Sequence, residues 1–203
     1  FAIGVIASTR EILQRDMREG YAATRPASAS LYTEPFDDEL VQVVRAMPGV
    51  VEAEGRRSLV VRVSAGPDEW RNLELNVIAD FDDMRVHTLR PEDGEFPPPA
   101  HELLVERASM EYLGAQIGDS LLIETPDGKQ RRMRVAGTVH DLSVPEGSLV
   151  RFAFCYITLD TVEWLGESRS FNELRIVVDG DGQDREYNRL VAERVRDKVE
   201  KSG

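Results

Sequence analysis

The sequence predicts an α+β protein in which a mixed α/β subdomain is interrupted by an inserted β-rich subdomain. Three observations support this fold class: a β-α-β order of patterns in the first third, alternating strand patterns in the middle, and a strand followed by an amphipathic helix at the end. The predicted division is a helical segment at residues 1–26, an α/β subdomain made of residues 27–68 and 170–203, and a β-rich insertion at residues 69–169.

Composition places the 203-residue chain in the globular class, with 41% hydrophobic and 31% charged residues. The net charge of −12 and the absence of a local Arg or Lys cluster disfavour nucleic acid as a partner. The single cysteine, Cys155, cannot form an internal disulfide. No run approaches the ~20 apolar residues needed to cross a bilayer.

The first segment predicts a helix. Phe1–Ala7 carries no charge, and a helical pattern follows from Ser8, with Glu11 completing a possible capping box. Alternatively, the helix begins upstream and Phe1–Ala7 is its apolar end. The apolar positions of this helix recur every four residues: Leu13, Met17 and Tyr21.

The next segment supplies a β-α-β pattern. Ala27–Thr33 alternates like a strand, and Asp37–Met47 is an amphipathic helix that Pro48 and Gly49 end. Strand patterns then follow at Val50 and Val51 and over Ser58–Ser64.

Strand patterns dominate the middle of the chain. The stretch WRNLELNVIAD, from Trp70, alternates like a half-buried strand, and Arg90–Ala100 is predicted to be a loop because it holds four of the ten prolines. Glu102–Glu106 is predicted to be a short strand, and Arg107–Leu113 a short helix that ends at Gly114.

A hairpin and a buried strand complete the insertion. Leu121–Val139 forms the hairpin, with its turn at Pro126-Asp127-Gly128, and Val150–Ile157 is apolar on both faces and therefore predicted to be covered on both. A strand at Leu174–Val178 precedes a helix from Asp184. The apolar positions of that helix are Tyr187, Leu190, Val191, Val195 and Val199.

No pattern for catalysis, cofactor binding or metal binding emerges, and binding residues stay unassigned. Of His87, His101 and His140, only His140 has an acidic neighbour, Asp141, and no spacing places two histidines on one helical face. No G-x-S-x-G or glycine-rich phosphate loop occurs. Cys155 is predicted to be a buried, unreactive thiol.

Other polar stretches are interpreted structurally. The run DGDGQD at Asp179–Asp184 resembles a calcium loop only loosely and predicts a plain loop, and Asp37-Asp38 and Asp82-Asp83 lack the calcium-loop spacing. Ser120 and Ser148 are predicted to begin strands rather than to act as nucleophiles.

The stretch Glu102–Val139 resembles the extracytoplasmic core domain of MacB-like and FtsX-like ABC transporter permeases. In that family a short helix leads into L-G-x-x-x-G-D, a strand and a hairpin that closes on V-x-G. Leu113-Gly114, Gly118-Asp119, and Val135 with Gly137 match these positions.

Further pieces follow in the family's order, so that the resemblance extends from about Met47 to Val178. Met47–Val50 resembles its helix-ending P-G-V, and Phe171–Leu174 resembles its return strand. Gly94–Pro97 resembles its G-R-x-P loop with the arginine replaced.

This resemblance implies a domain that lies outside the cytoplasm, between the first and second transmembrane helices of a cell-membrane protein. Phe1–Ala7 would be the outer end of the first transmembrane helix, the helix to Tyr21 a stalk, and Asp184–Lys201 the path to the second. The capping box at Ser8 would then not start a helix.

The function implied by the resemblance is non-catalytic coupling of ATP-driven movement to export or to an extracytoplasmic partner protein. The permease would be a dimer with cytoplasmic ATP-binding subunits or domains, and this domain would hold no cofactor. The two end helices would move as one lever, packed through Leu13, Met17 and Tyr21 of the first and Val191, Val195 and Val199 of the second. The alternatives are a tethered or secreted ligand-binding or sensor domain and, more remotely, a hydrolase using His140 and Asp141.

Overall fold

The computed structural model describes residues 23–66, 69–144, 151–180 and 184–201. These residues form nine strands and four helices in an α+β arrangement, which confirms the predicted fold class. The helix predicted from Ser8, the strand start at Ser148 and residues 181–183 of the Asp179–Asp184 loop lie outside the described residues.

The strands are numbered in chain order: β1 (Ala29–Phe36), β2 (Val50–Gly66), β3 (Glu69–Ile78), β4 (Arg90–Gly94), β5 (Leu103–Glu106), β6 (Ser120–Glu124), β7 (Gln130–His140), β8 (Ala153–Thr158) and β9 (Phe171–Val178). The helices are α1 (Asp38–Arg45), α2 (Ser109–Leu113), α3 (Leu159–Trp164) and α4 (Arg185–Glu200). Most of the predicted elements that fall on described residues are confirmed, with ends shifted by a few residues.

Strand β2 belongs to two sheets. Its first part, Val50–Arg56, pairs with β9, which in turn pairs with β1. Its second part, from Arg57, pairs with β3. The antiparallel set formed by β1, β9 and the first part of β2 is called the first sheet below.

The remaining pairings close a six-stranded barrel. From the second part of β2 the ladder passes through β3, β8, β5, β7 and β6, and β6 returns to pair with β2 at Arg62 and Val63. A closed ring leaves none of these strands as a free edge. The side chains packed inside include Leu73, Leu75, Leu103, Ile123, Met133, Cys155 and Ile157.

Helices α1 and α4 cover one face of the first sheet. Val41 and Val44 of α1 and Val191 and Val195 of α4 are buried there against Ile176 of β9. Each such side chain contributes ~1.5–3 kcal/mol when it leaves water. The helices begin at caps in which the carboxylates of Asp37 and Asp184 accept backbone N–H bonds.

The prediction of a loop over Arg90–Ala100 is wrong at its start, since Arg90–Gly94 forms strand β4. This strand pairs with the last part of β7, beyond the residues that pair with β6, with Pro91 opposite Val139 and Gly94 opposite Gly137. A proline is tolerated because β4 is an edge strand and Pro91 needs no donor on its open side.

Helix α3, absent from the sequence-based prediction, follows β8 directly. Thr158 caps it by accepting a hydrogen bond from the backbone of Thr161. Val162 and Leu165 then add to the core of the barrel. The boundaries proposed at residues 68 and 170 stay a prediction, and β2 runs continuously to Gly66 on the near side of the first one.

Candidate functional site

The face of the first sheet opposite the helices is polar, and its side chains on β2 and β9 are largely buried. Because strand side chains alternate between faces, Arg56, Glu173 and Arg175 all project away from α1 and α4, toward the outer surface of the barrel. Between the two surfaces lies a cavity of about 220 Å³. This junction cavity is lined by polar side chains that include Arg56, Glu74, Asn76, His87, Asp141 and Arg175.

Arg56 is, with Glu173, one of the two most deeply buried charges of the cavity, with 3% of its surface exposed. One guanidinium nitrogen lies 2.6 Å from a Glu54 carboxylate oxygen and donates to the carbonyl of Val86 at 2.9 Å. The Nε atom is buried and has no hydrogen-bond partner among the described residues. Burial lowers the pKa of Arg56, and the nearby Glu54 carboxylate opposes that shift.

Glu173 and Arg175 form a second ion pair in the cavity wall. The guanidinium donates to both carboxylate oxygens, at 2.9 and 3.0 Å. Such a two-bond pair is geometrically fixed and internally neutral. Glu173 is only 3% exposed, so its charge depends on this partner.

Glu74 and Asn76 of β3 face the cavity from the barrel side. Asn76 is 8% exposed, and its Nδ2 atom has no hydrogen-bond partner of acceptable geometry among the described residues. Glu74 forms no ion pair with any described residue. Burial raises the pKa of Glu74, while the neighbouring Asn76 amide works against that rise.

Asp141 and Tyr156 close one side of the cavity. The Tyr156 hydroxyl donates to one carboxylate oxygen of Asp141 at 2.7 Å, and the backbone N–H of Ser143 donates to the other, also at 2.7 Å. Burial, reinforced by the Asp141 charge, raises the pKa of Tyr156 well above its usual value. The hydroxyl is therefore a fixed donor.

His87 joins the cavity to the start of the described chain. The backbone N–H of Ala27 donates to its Nε2 atom at 3.1 Å, and its Nδ1 atom lies 3.1 Å from Arg175. Burial, followed by the positive charge of Arg175, lowers the pKa of His87. The ring is therefore favoured in its neutral form.

The segment Arg85–Thr88, called the connector loop below, ties three parts of the chain together. One carboxylate oxygen of Glu54 accepts hydrogen bonds from the backbone of Arg85 and Val86, both at 2.8 Å. The backbones of His87 and Thr88 donate to the carbonyls of Arg25 and Thr24 at 3.0 and 2.9 Å. Residues 24–27 are thus hydrogen-bonded to the connector loop, which is in turn hydrogen-bonded to Glu54 of β2.

The structure does not bring the candidate pair His140 and Asp141 together. His140 lies 3.4 Å from Glu106 and 3.0 Å from Arg107, whereas Asp141 faces Tyr156. Asp141 therefore does not orient the imidazole as a hydrolytic dyad requires. The prediction for Cys155 is confirmed: it lies inside the barrel, and burial raises the pKa of its thiol.

The other polar stretches take structural positions. Asp37 and Asp184 cap helices, and Ser120 begins β6 as predicted. In the part of the chain that the structure describes, no cluster of His, Cys, Asp and Glu is arranged to hold a metal ion. Nor does that part contain a helix long and apolar enough to span a bilayer.

Sequence reasoning missed the cavity because its walls come from β2, β3 and β9, which are distant in sequence. The strand pattern from Trp70 places Glu74 and Asn76 on the polar side of a half-buried strand, yet Asn76 is buried on that side. The sequence does contain one signal of the cavity. In the strands that form more than one of its walls, charged residues alternate with apolar residues.

The motifs that carried the resemblance form the turns around the barrel. Gly114 and Gly118 have φ of 64° and 93°, a conformation that favours glycine. The Asp119 carboxylate accepts the Gln116 N–H at 2.8 Å, which fixes the loop between them. A Cβ on Gly137 would lie 2.5 Å from the Asp93 carbonyl of β4, so only glycine allows this strand to approach.

Comparison with known proteins identifies the fold. The extracellular domain of the ABC-type transporter YknZ from Gram-positive bacteria aligns with a TM-score of 0.52 and 11% identity, over 84% of this chain and 92% of that domain. The periplasmic region of MacB from Actinobacillus actinomycetemcomitans aligns with a TM-score of 0.49 and 13% identity, over 82% of this chain and 75% of that one. Neither family models nor curated protein sequences gave a match. The chain thus has the fold of the YknZ domain.

Proposed function

We propose that this chain is the extracytoplasmic domain of a MacB-like or FtsX-like ABC transporter permease. It has no catalytic role, and it couples ATP-driven movement to substrate export or to a partner protein outside the cytoplasm. The observation that carries this proposal is the fold shared with the YknZ extracellular domain, over 92% of that domain. The motif order from about Met47 to Val178 supports it independently.

The full permease would act as a dimer with ATP-binding subunits or domains on the cytoplasmic side. Because fold alone does not fix function, the contacts at the two ends of the described chain matter most. At one end, residues 24–27 are bonded to the connector loop and to His87. At the other, α4 is packed into the core of the first sheet through Val191 and Val195.

These attachments suggest how movement would pass outward. A displacement of residues 24–27 would pull on the connector loop, and through Glu54 on β2. A displacement of α4 would move the first sheet as one unit, because its valines are fully enclosed there. Both paths meet at β2, the strand shared with the barrel. The proposed direct contact between α4 and the helix of residues 8–21 involves residues outside the described ranges.

Cross-linking in the full-length permease tests the coupling. Leu190 of α4 is 48% exposed and accepts a cysteine, which would be paired with Met17→Cys. The native Cys155 does not interfere, since it is fully buried. We expect oxidation to change the ATPase rate or transport and a reductant to restore it, while single-cysteine variants stay unchanged. If the cross-link forms and changes neither the ATPase rate nor transport, the two end helices do not act as one lever.

The junction cavity favours a second candidate, a tethered or secreted ligand-binding or sensor domain without transport. A concave site with several convergent polar groups is where small ligands bind, and Glu74, Asp141 and Arg175 line this cavity. Hydropathy of the parent reading frame separates the two functions. A permease domain requires ~20 apolar residues before Phe1 and further spans after Gly203, whereas a sensor needs a single tether.

A further inference from the structure

We infer that protonation of His87 releases residues 24–27 from the connector loop, so that this attachment holds at neutral pH and opens in acid. The contacts of residues 24–27 with His87 and Thr88 are called the N-terminal latch below. The release concerns these residues alone, whereas its consequence for coupling rests on the proposed function.

The two ring nitrogens of His87 both face hydrogen-bond donors. Nε2 lies 3.1 Å from the backbone nitrogen of Ala27, and Nδ1 lies 3.1 Å from a guanidinium nitrogen of Arg175. A neutral imidazole has one nitrogen that accepts a hydrogen bond, and an imidazolium has none. The neutral ring can therefore accept from Ala27 only by turning its own N–H toward Arg175, and the protonated ring can accept from neither.

Arg175 is fixed in place beside the ring. Two of its guanidinium nitrogens donate to the Glu173 carboxylate at 2.9 and 3.0 Å, and the third is the one that faces His87. A proton on the ring would place two positive charges 3.1 Å apart in a half-buried site, where solvent screens them poorly. Because Arg175 is held by Glu173, the repulsion is relieved when His87 turns away, and this movement breaks the hydrogen bond to Ala27.

The other charges around the ring do not offset this repulsion. Asp141 and Glu173 favour the protonated ring, whereas Arg56 opposes it together with Arg175. Burial, followed by Arg175, outweighs the two carboxylates and lowers the pKa of His87. Other titratable or charged side chains of the surrounding elements are Arg25, Tyr32, Glu54, Glu74, Arg85 and Tyr156.

The backbone of the latch also favours opening. Arg25 and His87 have φ of 51° and 50°, a region that residues with a side chain seldom adopt. The two residues are joined directly, since the His87 N–H donates to the Arg25 carbonyl at 3.0 Å. Such conformations persist only while surrounding contacts hold them. Loss of the bond between Ala27 and the ring removes one of these contacts.

Hydrogen bonds on both sides limit the extent of the opening. Ser28 is tied to β9 by two hydrogen bonds, of 2.7 and 3.0 Å. On the other side, the Val86 N–H donates to the Glu54 carboxylate at 2.8 Å. The opening is therefore confined to residues 24–27 and 87–88.

In a permease, the latch would control one of the two paths by which movement reaches β2. With His87 neutral, a displacement of residues 24–27 would act on the connector loop and through Glu54 on β2. Acid outside the cytoplasm would break this path while leaving α4 packed against the first sheet.

Amide hydrogen exchange on the 203-residue chain tests the inference. The exchange of each amide is followed by NMR from about pH 7.5 down through the titration of the His87 ring, and each rate is divided by the intrinsic rate at that pH. We expect the protection of the Ala27, His87 and Thr88 amides to fall by at least about threefold in step with that titration, because the open state binds the proton more readily. The amides of Ser28 and Val86 should keep their protection.

His87→Asn removes the titration and retains a residue that tolerates the φ of 50°. We expect the protection of the Ala27 and Thr88 amides to become independent of pH in this variant. His101→Asn is the matched control, since His101 also has a positive φ, 67°, but stacks on Trp164. This control should keep the pH dependence of the wild type.

Three results would overturn the inference. If the His87 ring titrates while the Ala27 and Thr88 amides keep their protection, protonation does not open the latch. If the Ser28 and Val86 amides lose protection equally, a larger part of the domain unfolds instead. If the pH dependence persists in His87→Asn, another group controls the opening.

The first two of these results come from the wild type, so the inference can be tested even if His87→Asn fails to fold. All three are independent of the cross-linking test, because they are measured on the 203-residue chain and do not depend on transport. A failure of the proposed function would thus leave the latch in place, and a failure of the latch would leave the proposed function untouched.

Discussion

The side chain of Asn172 forms two hydrogen bonds with the backbone of Ser58, accepting from its N–H at 3.0 Å and donating to its carbonyl at 2.9 Å. The regular pairing of β9 with β2 ends two positions earlier along β2, at Arg56 opposite Glu173. The Asn172 amide therefore replaces a backbone partner just where β2 leaves the first sheet and enters the barrel.

Replacing Asn172 with alanine should destabilise the fold by about 2 kcal/mol, because both Ser58 groups lose their partner in a half-buried position. The free energy of unfolding in urea measures this effect. Asn72→Ala, at an exposed position of β3, is the matched control and should stay within ~0.5 kcal/mol of the wild type. Equal effects of the two substitutions would show that the Ser58 bridge contributes nothing special.

Gly137→Ala should destabilise the fold by about 3 kcal/mol, since its Cβ would lie 2.5 Å from the backbone oxygen of Asp93. The neighbouring strand cannot relieve this overlap by rotating a side chain. Gly66→Ala provides the control, because the nearest atom to its Cβ is a carboxylate oxygen 4.0 Å away. Similar melting temperatures for the two variants would contradict the close approach of β4 and β7.

Tyr156→Phe should cost about 2 kcal/mol, because it removes a hydrogen bond of 2.7 Å to the buried Asp141 carboxylate. Tyr112→Phe removes a bond of similar length, 2.8 Å, to the carbonyl of Arg151 at an exposed site. That second substitution should cost no more than ~0.5 kcal/mol. A smaller loss for Tyr156→Phe than for Tyr112→Phe would mean that Asp141 does not depend on this hydroxyl.

Stability should depend on pH through His87. Its pKa is lowered in the folded state from the ordinary 6.5, by burial and then by Arg175. The unfolded chain therefore binds the proton more readily, so this contribution to stability is complete above pH 6.5 and is lost as the pH falls below it.

His87→Asn removes this dependence while retaining a residue that tolerates the φ of 50° at this position. We expect its free energy of unfolding to fall less steeply than that of the wild type as the pH falls from about 6.5 to about 5. Near pH 8 the imidazole is neutral in both the folded and the unfolded state. The difference in free energy of unfolding between wild type and variant at that pH therefore gives the cost of the substitution itself. If the free energies of unfolding of the wild type and the variant fall in parallel with pH, His87 is not the source of the pH dependence.

Much of the fold could be predicted from the sequence, because the apolar alternation of strands such as β3 and β7 is a local property. Strand β4 could not, since Pro91 and its neighbours form a strand only through their pairing with β7. Helix α3 was missed because it follows β8 without a break and has only Thr158 as a start signal.

The candidate site could not be predicted from the sequence, for a related reason. Arg56, Glu74 and Glu173 each resemble an ordinary polar residue on the exposed side of a strand. Arg56 and Glu173 are buried and Glu74 is half-buried because two sheets face each other there, and nothing local in the sequence indicates which strand faces become apposed. By contrast, the turn residues could be predicted from the sequence, since glycines such as Gly114 and Gly118 are required by local backbone geometry.

The sharing of β2 between two sheets has a consequence for the order in which the chain folds. All six strands of the barrel are supplied between Arg57 and Thr158, so their pairings can form before β9 has been synthesised. The first sheet cannot form until β9 has been synthesised, because β9 lies between β1 and β2 in that sheet. Its pairings thus join the first third of the chain to the last. We expect the barrel to form first, and a chain that ends after Thr158 to leave β1 and the start of β2 without their shared partner.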